Sequence, residues 1–325
     1  MTETSQQPGR KRSALYVLAA KILITAVLLS VCLLNADVRM SIESLFSKIP
    51  YYNFLVAAAL FLFAIAVNTL KWKLLLPQYR FSQMFRLNLI GRYYSLLLPG
   101  QLFGDVAKGV ILGRLDRDYE KVAASIVMDK LTGLAGMLLV ALLGLLSADR
   151  IVSVNTTTAV VAAIAVCLLL IFALRLNPDS GLVAKMESAT RGKAVFAVLA
   201  KLFSAWHSYS GRKLILLACI LLGVFYQLIG VLIIMLFAGS LDIVLPFVDW
   251  CWIVGILGIA LFIPLTIGGI GIREGTLIGV LGCLGIAVEQ ALALSFADFG
   301  LYIVFALVGG VLHLKSFNNA EGGGR

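Results

Sequence analysis

Two short glycine-rich stretches with charged residues interrupt an otherwise apolar sequence: LPGQLFGD at 98–105 and LTIGGIGIREG at 265–275. In lipid every backbone amide needs an internal partner, so such backbone persists at membrane depth only where protein buries it or a wet cavity faces it. Two interrupted apolar segments at corresponding positions in two halves are typical of transporters built from inverted repeats, which bind substrate where the repeats meet. The two stretches therefore predict a binding site between two halves.

The first stretch carries an acid and a base with helical spacing. Asp105 and Lys108 are three residues apart, so in a helix that begins near Gly104 they share one face. Arg92 precedes the break and is a further candidate for substrate binding. A purely structural alternative stays open, in which Asp105 caps a helix and pairs with Lys108.

A second charged pair lies inside an apolar segment. The run SIVMDKLTG places Asp129 and Lys130 about two turns inside a predicted helix. Ionisable groups at that depth are functional candidates, because they are expensive to bury in lipid. Alternatively, Lys130 extends to the cytoplasmic surface and only anchors the helix.

The second stretch ends in Arg273 and Glu274, which follow four closely spaced glycines. The free amides of such a loop and of the next helix start favour an anion. A guanidinium recognises a phosphate at two points, which makes Arg273 the strongest single candidate. The alternative is a buried pair of Arg273 with Glu274 or Asp105 that only holds the repeats together.

The breaks themselves are predicted to act as hinges, because proline and glycine interrupt a helix. The predicted hinge and close-approach positions are Pro99, Gly100, Gly104, Pro264, Gly268, Gly269 and Gly271. Asp249 and Asp298 either belong to an ion or proton path or only cap a helix or face water. Two distant histidines and five scattered cysteines predict no metal site, no catalytic residue and no cofactor.

Composition places these residues in a membrane protein, since 61% of the 325 residues are apolar and only 14% are charged. Clean spans are predicted at 14–34, 53–76, 122–147, 156–176, 213–238 and 289–313. Two further regions, 86–113 and 246–288, each predict a helix, a break and another helix. The predicted fold is an all-α polytopic membrane protein with about six full spans plus two broken or re-entrant helix pairs, or eight spans if the broken regions cross.

Basic residues orient the chain, because loops rich in lysine and arginine stay cytoplasmic. The base-rich segments 71–92 and 175–213 are predicted inside, and the loop 35–50 outside. This threading gives an inverted repeat, 14–147 and 156–313, with both termini cytoplasmic. Segment 178–211 is predicted as an interfacial helix or a packed connecting helix, and 1–13 and 318–325 as disordered. The net charge of +10 favours anionic lipid headgroups over nucleic acid, because the bases flank apolar segments.

Three ordered motifs resemble the transmembrane flippase family of the lysylphosphatidylglycerol synthases: RFSQMFRLNLIGRYYSLLLPGQLFGDVAKG, SIVMDKLTG and IPLTIGGIGIREG. The resemblance covers nearly the whole chain. The family's proline, glycine, glycine and acid are matched by Pro99, Gly100, Gly104 and Asp105. Its final glycine, arginine and acid are matched by Gly271, Arg273 and Glu274. The middle motif departs from the family, whose members commonly have an acid followed by arginine, because this chain has Asp129 and Lys130.

The resemblance implies a bacterial inner-membrane protein that moves an anionic or aminoacylated phospholipid, or a polyprenyl-phosphate-linked glycan, between leaflets. It implies no lysyl transfer, because fused members carry that chemistry in a cytoplasmic domain after the membrane region. The implied partners are membrane lipids, and a lipid-synthesis enzyme or a glycosyltransferase is a further candidate partner. Two alternatives stay open: a membrane-embedded transferase acting on a lipid phosphate, and a non-transporting partner of a lipid-synthesis complex.

The charged residues have predicted roles in this translocation. Arg273, with Lys108, Lys130 or Arg92, is expected to bind the lipid phosphate. The carboxylates are expected to position those bases or to take a cationic headgroup; they are Asp105, Asp129 and Glu274.

Overall fold

A computed structural model describes residues 44, 47–98, 102–116, 118–147, 209, 211–262 and 266–322. Within these ranges the protein is built from eight α-helices, which confirms the prediction of an all-α polytopic membrane protein. They are α1 (Tyr51–Leu75), α2 (Phe81–Leu97), α3 (Leu102–Asp116), α4 (Tyr119–Leu146), α5 (Lys213–Ser240), α6 (Phe247–Phe262), α7 (Ile272–Cys283) and α8 (Val288–Gly322).

Four of the described helices are long and apolar enough to cross a membrane: α1, α4, α5 and residues 288–315 of α8. They coincide with the predicted spans 53–76, 122–147, 213–238 and 289–313. The predicted spans 14–34 and 156–176, and nearly all of 178–211, lie outside the described residues. Helix α8 continues past its predicted end into the tail, because no proline or glycine interrupts the chain from 311 to 321.

Both broken regions consist of two helices with an interruption between them, as the sequence predicts. Helix α2 ends four residues before α3 begins, and α6 ends well before α7 begins. Pro99, Gly100 and Pro264 lie outside the described residues. In the second break Gly268 and Gly269 have φ values of 63° and 78°. Side chains other than glycine rarely adopt this conformation, so the course of this break depends on glycine.

The two halves share one core because each broken region packs on the last helix of the other half. Helix α2 packs on α8, α6 packs on α4, and α1 packs on α5. Glycines allow the close approaches: Gly309 of α8 contacts the backbone of Leu89, and Gly144 of α4 contacts the backbone of Val248. This reciprocal packing brings side chains from both halves into a common interior. The inverted orientation of the two halves stays a prediction.

Candidate functional site

A cavity of about 310 Å³ lies between the two halves. Its walls come from seven of the described helices, α1 to α6 and α8. The charged side chains in the wall are Lys71, Arg92, Asp105, Lys108, Asp129, Lys130 and Asp298. Ionisable groups are rare inside apolar helices and usually mark a substrate or ion path, so this concentration identifies the candidate site.

Asp105 joins two bases at the wall of the cavity. Its carboxylate lies 2.9 Å from Lys108 Nζ, one turn along α3, and 2.6 Å from Lys130 Nζ on α4. The Lys130 side chain keeps 35% of its surface exposed. Lys130 therefore faces the cavity and pairs with an acid, and it does not extend away to anchor its helix.

Asp129 forms a second, deeper group of contacts. Its carboxylate lies 3.2 Å from Lys71 Nζ and 3.9 Å from Lys108 Nζ. Lys71 also donates to the backbone carbonyl of Asp129, and Lys108 donates to Asn88 Oδ1 at 3.0 Å. The Lys108 ammonium lies 4.4 Å from the ring centroid of Trp72. These side chains are almost fully buried, so several contacts fix each charge in place.

Arg92 is the cavity cation without an acidic partner. Its guanidinium lies 4.7 Å from the ring centroid of Phe61 and close to Tyr226. Among the described residues, no carboxylate oxygen comes within 4.0 Å of it. The first half of the chain thus contributes three paired lysines and one unpaired arginine to the cavity, against two carboxylates. This excess of positive charge favours an anion.

Arg273 lies beside the cavity and does not line it. Its Nε atom is 3.6 Å from Asp298 Oδ2, and its guanidinium lies 4.8 Å from the ring centroid of Phe299. The side chain is buried, and Nε makes no hydrogen bond with any described residue. Its ion-pair partner Asp298 does line the cavity. The strongest candidate from the sequence therefore reaches the cavity only through its acidic neighbour.

Glu274 holds the start of α7 in place. Its carboxylate accepts hydrogen bonds from the backbone N–H of Gly271 and, at 2.9 Å, from the hydroxyl of Ser295 on α8. Acidic caps of this kind satisfy free amides at a helix start and favour the helix dipole. Both oxygens are engaged, and Glu274 is not part of the cavity wall.

The structure brings together five of the seven predicted substrate-binding residues: Arg92, Asp105, Lys108, Asp129 and Lys130. It leaves Arg273 and Glu274 behind the wall. Gly104 also lines the cavity, and its Cα packs against the backbone of Gly91 on α2.

Sequence reasoning missed several polar side chains of the wall: Asn68, Lys71, Asn88, Tyr226, Gln227 and Tyr302. Lys71 was interpreted as one of the basic residues that mark a cytoplasmic loop. Its helical spacing from Asn68, within the predicted span 53–76, was the available signal. A lysine and an asparagine on one face of a span indicate a polar interior.

The arrangement suits the binding of an anion. Each of the two first-half carboxylates already contacts two ammonium groups, so the unpaired capacity of the site is cationic. Over the described ranges, no three His, Cys, Asp or Glu side chains come together as a set of metal ligands.

The family model described as "Lysylphosphatidylglycerol synthase TM region" matches residues 18–310. This match spans both halves, both breaks and every residue of the cavity wall. No curated protein and no solved structure matches the chain.

Proposed function

The chain belongs to the family of lysylphosphatidylglycerol synthase transmembrane regions, and from this premise we propose that it is a lipid translocase. It moves an anionic or aminoacylated phospholipid, or a lipid-linked glycan, between the two leaflets. The observation that carries the proposal is the cavity between the halves, whose wall carries four basic side chains and three carboxylates. A lipid phosphate supplies the missing negative charge there while the acyl chains remain in the bilayer.

Arg92 and Lys130 are the proposed phosphate ligands. Arg92 has no carboxylate partner, and its planar guanidinium can donate two parallel hydrogen bonds to one phosphate. Lys130 is the most exposed of the three cavity lysines, so a headgroup can reach it. Lys71 and Lys108 are buried among their partners, and their fixed charges keep this side of the cavity positive.

Asp298 is the proposed contact for a cationic headgroup. It lines the cavity, its side chain is 22% exposed, and its ion pair with Arg273 is long at 3.6 Å. An aminoacylated lipid carries an ammonium group near its phosphate, and a loosely held carboxylate is suited to bind it. In this proposal Arg273 positions Asp298 and does not touch the lipid.

The two breaks supply the proposed movement. The first helix of each broken pair packs on the long final helix of the other half, so a rearrangement at one break shifts the wall formed by both halves. Alternating exposure of a fixed central site is the usual mechanism of such folds. We place the protein in the bacterial inner membrane, as the family resemblance implies, with both termini on the cytoplasmic side, as the distribution of basic residues predicts.

Leaflet-resolved transport tests the proposal. Proteoliposomes with the full chain and a fluorescent anionic phospholipid are compared with protein-free liposomes, and a membrane-impermeant quencher reports the outer leaflet. We expect Arg92→Gln to slow transport about tenfold or more, because a charged hydrogen bond contributes about 1.5–3 kcal/mol. Arg114→Gln is the matched control, since it removes the same charge from an exposed position on α3.

The outcomes separate the alternatives. Transport by the wild type that is unchanged in both Arg92→Gln and Asp105→Asn would exclude this cavity as the lipid site. Chemical conversion of a labelled lipid by the purified protein would instead favour the membrane-embedded transferase. Two results together would contradict the translocase itself. They are the absence of protein-dependent transport in liposomes and normal lipid synthesis in cells whose protein carries neutral substitutions at the charged cavity residues.

A further inference from the structure

Gln227 of α5 is a cavity residue with an unused hydrogen-bond donor. The side chain is about nine-tenths buried, and its Nε2 atom has no hydrogen-bond partner among the described residues. An amide left unpaired in a buried position costs about 1–3 kcal/mol, so such a group requires an explanation, and a bound ligand is one. Asn68 of α1 also lines the cavity, and no hydrogen bond joins its side chain to another described residue.

Gln227 shares the cavity with the cations of the site, because Lys71, Arg92 and Lys130 line the same space. Both Tyr226 and Gln227 line the cavity. A headgroup whose phosphate binds Arg92 occupies the same cavity that Gln227 lines.

We propose that Gln227 is a specificity-determining residue that hydrogen-bonds a hydroxyl-bearing headgroup attached to the phosphate, with Asn68 as a second contact. The inference rests on the proposed lipid site. A carboxamide both donates and accepts, and a hydroxyl is a partner of the same kind. An ammonium group has only donors and leaves Nε2 unpaired, and an alkyl group leaves the whole amide unpaired. The preferred ligand class is thus a phosphodiester of glycerol or a sugar.

Two short-chain lipids test this inference. Phosphatidylglycerol and phosphatidylpropanol carry the same charge and the same three-carbon headgroup skeleton, but only the first has headgroup hydroxyls. Binding to the purified full chain in detergent is measured by native mass spectrometry. We expect the wild type to prefer phosphatidylglycerol about tenfold, the ratio expected for one buried hydrogen bond. Gln227→Leu should abolish that preference and leave the binding of phosphatidylpropanol unchanged.

Retained phosphatidylpropanol binding also shows that the variant is folded. Gln227→Met, which is unbranched, is measured in the same way if the leucine variant does not fold. Gln290→Leu is the matched control, because Gln290 donates at 2.8 Å to the carbonyl of Leu241 and does not line the cavity. This control should keep the full preference.

Free glycerol phosphate distinguishes a lipid headgroup from a soluble phosphate ester. If free glycerol phosphate competes with the lipid for the wild type but not for Gln227→Leu, Gln227 recognises the hydroxyls of a soluble ligand. If it does not compete, the ligand is a lipid. Equal binding of both lipids to the wild type, or a preference that survives in Gln227→Leu, overturns the inference while the lipid site stands. If neither lipid binds the wild type, the inference fails, and transport in the proteoliposome assay then decides whether the proposed function fails with it.

Discussion

The two helix breaks carry charged clusters that correspond in position and differ in construction. At the first break, Asp105 on the new helix pairs at 2.6 Å with Lys130 on the following helix. At the second break, Arg273 at the start of α7 lies 3.6 Å from Asp298 on α8. Here the base is on the helix after the break and the acid is on the next helix, the reverse of the first break, and the contact is longer. The first-break cluster is defined as Lys71, Asp105, Lys108, Asp129 and Lys130. The second-break cluster is defined as Arg273, Glu274, Ser295 and Asp298.

The difference shows that corresponding positions need not have corresponding roles. The first-break cluster lies in the cavity wall, and its three cations exceed its two carboxylates. In the second-break cluster one base faces two acids, and one of those acids serves as a helix cap. The charges of the cavity wall are therefore unevenly distributed, because its basic side chains come from the first half and the second half contributes only the carboxylate of Asp298. A zwitterionic or anionic headgroup has one favoured orientation in such a field.

The largest predicted effect comes from opening the first-break cluster at its most buried acid. Asp129→Asn removes the negative charge that faces Lys71 and Lys108, and loss of one partner of a buried ion pair costs about 3–5 kcal/mol. We expect a large fall in the thermal unfolding temperature in detergent, followed by tryptophan fluorescence.

A double variant tests whether the cost arises from the uncompensated charge. Lys71→Met removes the facing cation at similar length, so Asp129→Asn combined with Lys71→Met should recover part of the lost stability. Asp242→Asn is the control, because the Lys48 to Asp242 pair is exposed and worth about 0–1 kcal/mol. Additive losses in the double variant would contradict the direct coupling of Asp129 and Lys71.

A smaller effect is predicted for an alanine substitution at a glycine near the start of the helix that follows each break, because the two helices differ in how closely they pack. A Cβ on Gly104 of α3 would collide with the backbone carbonyl of Gly91 and with Ser95 Oγ. Gly104→Ala should therefore destabilise the protein by about 1–3 kcal/mol, since neighbouring backbone cannot yield easily.

Gly275 of α7 is the matched position after the second break. A Cβ there would meet no described atom within 4 Å. Gly275→Ala should be neutral or stabilise the helix by up to about 1 kcal/mol, because alanine has the higher helix propensity. Both variants are measured by thermal unfolding and by transport. Equal destabilisation by the two substitutions would refute the packing difference between the breaks.

The cap at the second break predicts a still smaller loss. Glu274→Ala frees the amide of Gly271 and the hydroxyl of Ser295, and loss of a helix cap costs about 0.5–2 kcal/mol. Because Glu274 does not line the cavity, lipid binding per folded molecule should stay unchanged. A large loss of lipid affinity with normal thermal stability would return Glu274 to the substrate-binding residues.

Hydrophobicity and charge were sufficient to predict much of this architecture. The four described spans lie within a few residues of their predicted limits, because a lipid-crossing helix needs an uninterrupted apolar run. The breaks were predictable because glycine and proline interrupt helices and local sequence reports them directly. Asp105 and Lys108 were predictable as a pair for the same reason, since their contact is one helical turn long.

Long-range partners were not predictable in this way. Lys71 contacts Asp129 across 58 positions of sequence, and nothing local distinguishes it from the basic residues used to orient the loops. In the sequence, Glu274 cannot be distinguished from an acid that binds a ligand, because its partner Ser295 lies on another helix. Tertiary packing decides whether a buried charge faces a cavity or closes a helix end. A single sequence contains little information about that choice.

The smallest predicted effect is at the loose pair of the second-break cluster. Asp298→Asn removes the carboxylate beside Arg273, but the contact is 3.6 Å long and the Asp298 side chain is partly exposed. The stability loss should be about 1 kcal/mol, well below that of Asp129→Asn, because the contact with the buried Arg273 is long and the amide oxygen of the variant can still accept a hydrogen bond from the guanidinium. Transport should respond differently from stability, because Asp298 lines the cavity. An aminoacylated lipid should be transported more slowly and a simple anionic lipid at least as fast, since a negative charge leaves the wall. Equal slowing of both lipids would show that Asp298 acts only as a structural partner of Arg273.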